Sequence, residues 1–310
     1  MTSGRPEADP RETTIATLDT LDHNAVDWSD VRSTAYLIHQ HFRYEYLGPI
    51  RELRQRLVII PPERHGDQRL ITQRLEVSSP TTEIRREIDQ FGNLVLSLMV
   101  DHVAQAIDFV AWIVVERDRA TTSTEVSAET YASPVFREPS PLAAPDDALR
   151  EAATDLLQDR GDPATLASRI NAWVYGEMAY EHGVTGIHTT AAEAFARRCG
   201  VCQDYAHVML ALCRLCGLPA RYVSGHLLGE GGTHAWVEVL LPDPERASSY
   251  LARAFDPTHG REPGLNYVTV AIGRDYGDVA PTSGTYVAPY AGHLSARKRA
   301  SLTAVSYFSR

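Results

Sequence analysis

The chain has 310 residues, 44% of them apolar and 23% charged, which suits a globular protein with one large domain or two. A formal charge of −10 leaves nothing to neutralise a phosphate backbone and excludes a nucleic-acid binder. The longest apolar runs, such as LVLSLMV at 94–100, are too short to cross a bilayer.

Residues 1–30 read as a polar, mobile leader. They lack the apolar core of a signal peptide, so the cytoplasm is the expected compartment, where disulfides are rare. Residues 31–118 are rich in aromatic and β-branched residues broken by Pro, Gly and Asp, as in STAYLIHQHFRYEYL (33–47), RQRLVIIPP (54–62) and IDFVAWIVVERD (107–118). This pattern predicts an antiparallel β domain, a sandwich or a barrel. His39 and His41 share one strand face at period two, which allows a metal pair or two ordinary surface histidines.

Residues 119–145, with their Ser, Thr and Pro, are expected to form a linker. Helices are predicted over 146–161 and 162–180, the second opened by Asp162 and Pro163. A third covers 189–198, with Thr190 and Glu193 spaced as a capping box. A fourth runs from Cys202 to Cys216, ended by Gly217 and Pro219. Strands follow at 221–228, 233–241 and 253–258, so the second half is helices followed by an antiparallel sheet and the fold class is α+β. The core is bounded at 146–290. Residues 291–310 form a C-terminal segment whose basic run SARKRASL (295–302) reads as solvated.

All four cysteines, at 199, 202, 213 and 216, form two Cys-x-x-Cys pairs. A helix over 202–216 sets Cys202 and Cys213 about 16 Å apart along its axis, too far for one tetrahedral zinc with bonds of about 2.3 Å. Cys213 and Cys216 fall on or beside the apolar stripe and read as core. A thioredoxin-like couple needs a strand leading into the motif, whereas AAEAFARR before it is helical. Cys202 opens a helix, where unpaired N–H groups and the macrodipole favour a thiolate. His234 begins a strand beyond the GEGG turn and Asp256 ends the next. Helix-start Cys, strand His and next-strand Asp form the set that nucleophilic catalysis requires.

GVCQDYAHVMLALCRLCGLPARYVSGHL, THAWVEVLLP and FDPTHG resemble the three blocks of the transglutaminase-like superfamily, whose enzymes share the papain-type cysteine protease fold. VTVAIGRDYGDVAPTSGTY (268–286) resembles its bacterial branch, as RYEY, VIIPP and REIDQFGNLVL resemble the β-rich N-terminal domain of that branch. The resemblance implies Cys202 as nucleophile, His234 as acid and base, and Asp256 as the carboxylate orienting His234. It implies acyl transfer on a peptide, protein or amide substrate through a Cys thioester, with no nucleic acid, membrane, metal or other cofactor. No acidic loop resembles the calcium sites of animal transglutaminases. Trp236, Gln203, Tyr180 and His226 are candidates for lining the substrate cleft. Asp204 and His207 read as structural, and Arg221, Arg274, Asp275 and Tyr276 match the bacterial pattern. Cys199 departs from the family, and a regulatory disulfide with Cys202 is one reading of it. A non-catalytic, partner-binding scaffold and a Cys-x-x-Cys redox or zinc protein are the alternatives.

Overall fold

The computed structural model describes residues 20–79, 83–119, 124–159 and 161–308; leader positions 1–19 and linker positions 120–123 lie outside them. Seven strands come first: β1 (Val31–Glu45), β2 (Ile50–Ile60), β3 (Arg64–His65), β4 (Gln68–Val77), β5 (Ile84–Ile88), β6 (Leu94–Val103) and β7 (Ala106–Asp118). In β7, Ile107, Phe109, Ala111, Ile113 and Val115 are all buried at period two, which commits one face of the strand to a core. They meet Tyr36, Ile38 and Phe42 of β1, Leu53, Leu57 and Ile59 of β2 and Leu96, Leu98 and Val100 of β6 in one apolar cluster. The N-terminal domain is therefore a β-sandwich, as the strand-like text implied.

The outer histidines of β1 do not form a metal pair. The His39 ring stacks on Trp112 with centroids 3.8 Å apart, and His41 Nε2 lies 2.7 Å from Asp108 Oδ1.

The stretch read as a linker is instead structured. Strand β8 (Thr124–Val126) joins the second domain's sheet, helix α1 (Ala128–Ala132) follows, and Phe136, Ser140 and Ala143 are buried. Helices α2 (Asp147–Leu157), α3 (Pro163–Glu177), α4 (Ala191–Arg197) and α5 (Cys202–Leu215) come next. A short parallel pair, β9 (Ala179–Tyr180) and β10 (Cys199–Gly200), flanks α4. The local signals act as read. Asp162 Oδ1 accepts from the N–H groups of Ala164 and Thr165, and Thr190 and Glu193 form a reciprocal capping box. Strands β11 (Ala220–Leu227), β12 (His234–Pro242), β13 (Tyr250–Phe255) and β14 (Tyr267–Gly273) complete a sheet of order β14-β11-β12-β13-β8. Its inner face packs on the helices through Ile170, Val174, Phe195, Val208, Met209, Leu212, Tyr222, Val237 and Phe255.

After the short helix α6 (Tyr276–Val279), β15 (Thr282–Val287) and β16 (His293–Tyr307) return to the first domain. Strand β15 pairs with β2, and β16 pairs with β1 along nearly its whole length. The C-terminal segment is thus an edge strand of the sandwich, and its basic run keeps Ser295, Ala296, Arg297 and Arg299 exposed. The two sandwich sheets run β16-β1-β7-β4-β3 and β15-β2-β6-β5. From residue 20 onward the leader is also engaged: Leu21 N–H donates to the Leu302 carbonyl, and Val26 and Trp28 pack on the sandwich core.

The domains meet at the open edge of β14. The Gln68 amide donates to the Thr269 carbonyl and accepts from its N–H, both at 2.8 Å. The Asn93 amide does the same for Ile272, at 2.7 and 2.8 Å. Each side chain stands in for a neighbouring strand and blunts an edge that would otherwise expose unpaired backbone. Asn93→Leu keeps the branched shape but strands the N–H and carbonyl of Ile272. The expected loss is about 2–4 kcal/mol, read from the urea midpoint, and an unchanged midpoint would contradict the edge-cap role.

Candidate active site

The turn before Cys202 is held by a buried carboxylate. The helix N-cap is Val201, which has no polar side chain, and only the reverse half of a capping box is made: Asp204 Oδ2 accepts from the Val201 N–H at 2.8 Å and from Thr185 Oγ1 at 2.6 Å. Burial raises the Asp204 pKa despite these donors. At the other end Gly217 takes φ +79°, and the Leu218 and Gly217 N–H groups donate to the carbonyls of Cys213 and Arg214. That is a Schellman stop. Helix α5 is thus fixed at both ends, with Cys202 in its first turn and partly exposed.

Strand β12 presents His234, and β13 delivers Asp256 beside it. The register sets Phe255 opposite Val237, so Asp256, one step past the strand, is level with Trp236 and diagonal to His234 on the same face. His234 Nε2 donates to Asp256 Oδ2 at 2.8 Å. Asp256 is fully buried, and its other donors are the Tyr267 hydroxyl at 2.6 Å, His259 Nδ1 at 2.8 Å, and the N–H groups of Thr258 and His259. Burial opposes the charge, but His234, His259 and Tyr267 hold the carboxyl well below its usual range. His234 is 2% exposed. Burial disfavours its imidazolium, yet the bond to Asp256 and the influence of Cys202 and the Glu230 carboxylate outweigh this and raise the pKa to about 11.

An open cleft of about 920 Å³ lies beside these groups, lined in part by Tyr175, Tyr180, Tyr205, His182, Glu230 and His259. Tyr180 is half exposed there, and its hydroxyl is pushed up to about 12 by partial burial and by Cys202 and Glu230 nearby. Gln203 sits next to Cys202 with its amide 3.4 Å from the Gly186 carbonyl. Trp236 is buried behind His234, its ring T-shaped to Tyr267. Its indole presses on β11 at Gly225, where an added Cβ would lie 2.4 Å from the ring, so glycine is required by space. His226 is not a cleft residue. It is 1% exposed on β11 with Nδ1 3.2 Å from the Gly232 carbonyl, and burial lowers its pKa to about 4.

The remaining bacterial-pattern residues hold structure. Arg221 donates to Glu238 at 2.7 Å, and Glu238 also meets His65 of the sandwich at 2.7 Å. Arg274 pairs with Asp278, and Asp275 accepts from the Leu142 N–H. The Tyr276 N–H donates to buried His207. Cys213 and Cys216 are buried in the core, and burial pushes the Cys213 thiol up. Cys199, on β10, is a free thiol, as are the other three.

Glu230, His259 and Tyr267 were missed in the sequence. Glu230 stood in a glycine turn read only as a turn, and His259 followed Asp256 within FDPTHG without a partner being evident. Tyr267 reaches Asp256 only through tertiary packing.

Because the folded value of His234 lies above its ordinary 6.5, its stabilising contribution is complete below that pH and is lost as pH rises through about 11. Asp256 has the opposite sign: its contribution is present above its ordinary 3.8 and is lost in acid. The stability advantage of wild type over His234→Gln is expected to be larger at about pH 6 than at about pH 9. Urea midpoints measure it, and an advantage that grows with pH would refute the assignment.

Comparison with known proteins agrees with this architecture. Residues 150–247 match the model of the transglutaminase-like superfamily, a span that includes Cys202 and His234 and ends before Asp256. Residues 36–116 match the bacterial transglutaminase-like N-terminal region. An uncharacterized protein of Mycobacterium leprae is 28% identical over 248 residues, covering 73% of this chain and 84% of its own. One from Mycobacterium tuberculosis H37Rv is 36% identical over 165 residues, covering 50% of this chain, and the match spans 45% of that relative. A crystal structure from Cytophaga hutchinsonii, provisionally designated a cysteine protease, superposes with a TM-score of 0.64 over 87% of this chain and 98% of its own. At 22% identity that likeness is one of fold. Residues 150–247 are thus a transglutaminase-like core and residues 36–116 a bacterial transglutaminase-like N-terminal domain, in a chain that shares the fold of the Cytophaga structure.

Proposed function

We propose that the protein is a cysteine-dependent acyl hydrolase or acyltransferase acting on peptide, protein or other carboxamide bonds. The observation that carries this reading is buried His234, whose Nε2 donates to the Asp256 carboxylate at 2.8 Å, on a strand packed against the helix that opens with Cys202. An imidazole fixed in that way keeps Nδ1 for the sulfur and stabilises a thiolate–imidazolium pair.

In the proposed reaction the Cys202 thiolate attacks the carbonyl carbon, forming a C–S bond and placing negative charge on the oxygen. The Cys202 N–H begins the helix, has no intrahelical acceptor and donates to that oxyanion. Tyr180, which keeps its proton well above neutral pH, stands at the cleft as a second donor. His234 gives its proton to the departing nitrogen as the C–N bond breaks, leaving a thioester. Water or an amine then loses a proton to His234 and attacks the thioester, releasing acid or a new amide and restoring the thiolate. Asp256 stays ionised throughout and holds the ring.

Iodoacetamide labelling followed by peptide mass spectrometry tests the nucleophile. Near neutral pH, Cys202 is expected to react at least about tenfold faster than Cys213, and His234→Ala is expected to remove most of that difference. Equal rates in wild type would sink the activated-nucleophile reading and favour a non-catalytic binding module. Mass spectrometry of acyl-enzyme trapped from a peptide library then identifies the acyl group.

A further inference from the structure

The 30 basic side chains of the sequence are 29 arginines and a single lysine, Lys298. A guanidinium holds its proton throughout, whereas an ammonium can lose it when buried. Lys298 stands on β16 opposite Gln40 of β1, in the row that sets Ala300 opposite Ile38 and Leu302 opposite Tyr36. Gln40, Ile38, Tyr36 and Leu302 are buried, so at period two Lys298 belongs to the inward face of the sandwich. Its ammonium lies 5.0 Å from the centroid of the Phe42 ring. Among the described residues no carboxylate offsets that charge, and burial lowers its pKa to about 8. A desolvated cation with only an aromatic face beside it is costly until an anion joins it.

Lys298 lines a cavity of about 410 Å³ whose walls come from three parts of the chain. Leu302 continues β16, Leu21 and His23 come from the segment before β1, and Leu228 and Glu230 from the turn after β11. The segment before β1 is seated closely: the Leu21 N–H donates to the Leu302 carbonyl, and a Cβ added at Gly229 would lie 2.6 Å from His23 Nε2. The acid in this wall, Glu230, turns its oxygens to His234 and His259 at 3.2 Å and leaves Lys298 unanswered. Glu230 and Gly231 also line the active-site cleft, so one turn separates that cleft from the cavity behind it. Small-molecule sites of this size pair a few polar anchors with apolar walls. Here the inward ammonium selects the sign of a ligand, and three leucines select an apolar body.

We propose that this cavity binds a small aliphatic carboxylate, its head on the Lys298 ammonium and its chain against Leu21, Leu228 and Leu302. The site is independent of the acyl-transfer reading above. Its affinity follows the proton on Lys298. The facing groups of β1, Gln40 and Phe42, do not titrate, and Arg299 keeps its charge. Burial and the Lys298 charge leave His226 of β11 neutral above about pH 4. The bond to His234 lowers the Glu230 pKa, so that group is ionised at neutral pH and above. His23 is the remaining titratable group of the wall. A carboxylate ligand is itself ionised well below neutral pH. Binding is therefore complete while Lys298 is an ammonium and is lost as pH rises through about 8.

Calorimetric titration with sodium hexanoate at constant ionic strength tests the site. Hexanoate is expected to bind, and acetate and hexanol to bind at least about tenfold more weakly, one lacking the chain and the other the charge. Hexanoate affinity is expected to fall at least about fivefold between about pH 7 and about pH 9.5, a fall that persists in His23→Gln. Lys298→Met, which keeps the length of the side chain, is expected to abolish binding. As the single lysine, Lys298 also reports its own occupancy. Methyl acetimidate attacks only the neutral amine, so saturating hexanoate is expected to slow amidination of Lys298 at least about fivefold, read by peptide mass spectrometry. Undiminished binding in Lys298→Met, or amidination indifferent to hexanoate, would overturn the site. So would a wild type that binds no hexanoate, which would reduce Lys298 to an inward-pointing charge guarding an edge strand against pairing.

Discussion

A carboxylate with no solvent exposure has to find its hydration shell inside the protein, and Asp256 does so with five donors. That requirement organises everything around it. The chain must turn sharply after β13 to bring the N–H groups of Thr258 and His259 to one oxygen. Tyr267 must enter from β14 to reach the other, and His234 must present Nε2 and no other atom. An isolated buried charge would shift its pKa and neutralise; this one stays charged because its neighbours are fixed. Proton position on His234 therefore follows from packing, which is why strands β12, β13 and β14 all contribute to one imidazole.

A second buried charge ties this apparatus to the sandwich. Glu238 stands two strand pairs along from His234, on the same face, and is neutralised by Arg221 from within the domain and His65 from outside it. Burial opposes its ionisation, but those two partners hold its pKa below the usual range. Removing one partner of such a buried set typically costs about 3–5 kcal/mol. The side-chain amides of Gln68 and Asn93 extend the same attachment along β14. The N-terminal domain is thus part of the wall behind His234, and its contacts fall on the two strands that position the histidine and Tyr267.

Much of this was legible in the residues. Asp162 with Pro163, the Thr190–Glu193 box and the Gly217 stop are local signals, and each acts through bonds to its own helix. Cys202, His234 and Asp256 could be paired because a helix start and two neighbouring strands constrain where their side chains go. The errors share a cause. Ser, Thr and Pro at 119–145 suggested a linker, but Thr124–Val126 finds an open sheet edge that only the folded second domain provides. The charged run at 295–302 lacks an apolar pattern because β16 is an edge strand with one neighbour, β1, so little in its own composition marked it. Glu230 and His259 were invisible for a related reason: their meaning lies in two loops that approach each other only across the cleft.

The path of the chain gives the β-sandwich an unusual birth order. Its central strands leave the ribosome first, yet two of its edge strands, β15 and β16, come from residues after the whole second domain. Until Thr282–Val287 and His293–Tyr307 are made, β2 and β1 each have an uncovered flank. The domain bearing Cys202 is therefore an insertion whose synthesis is finished before its host can close. The flanks of β1 and β2 can thus be covered only after the intervening domain has been made.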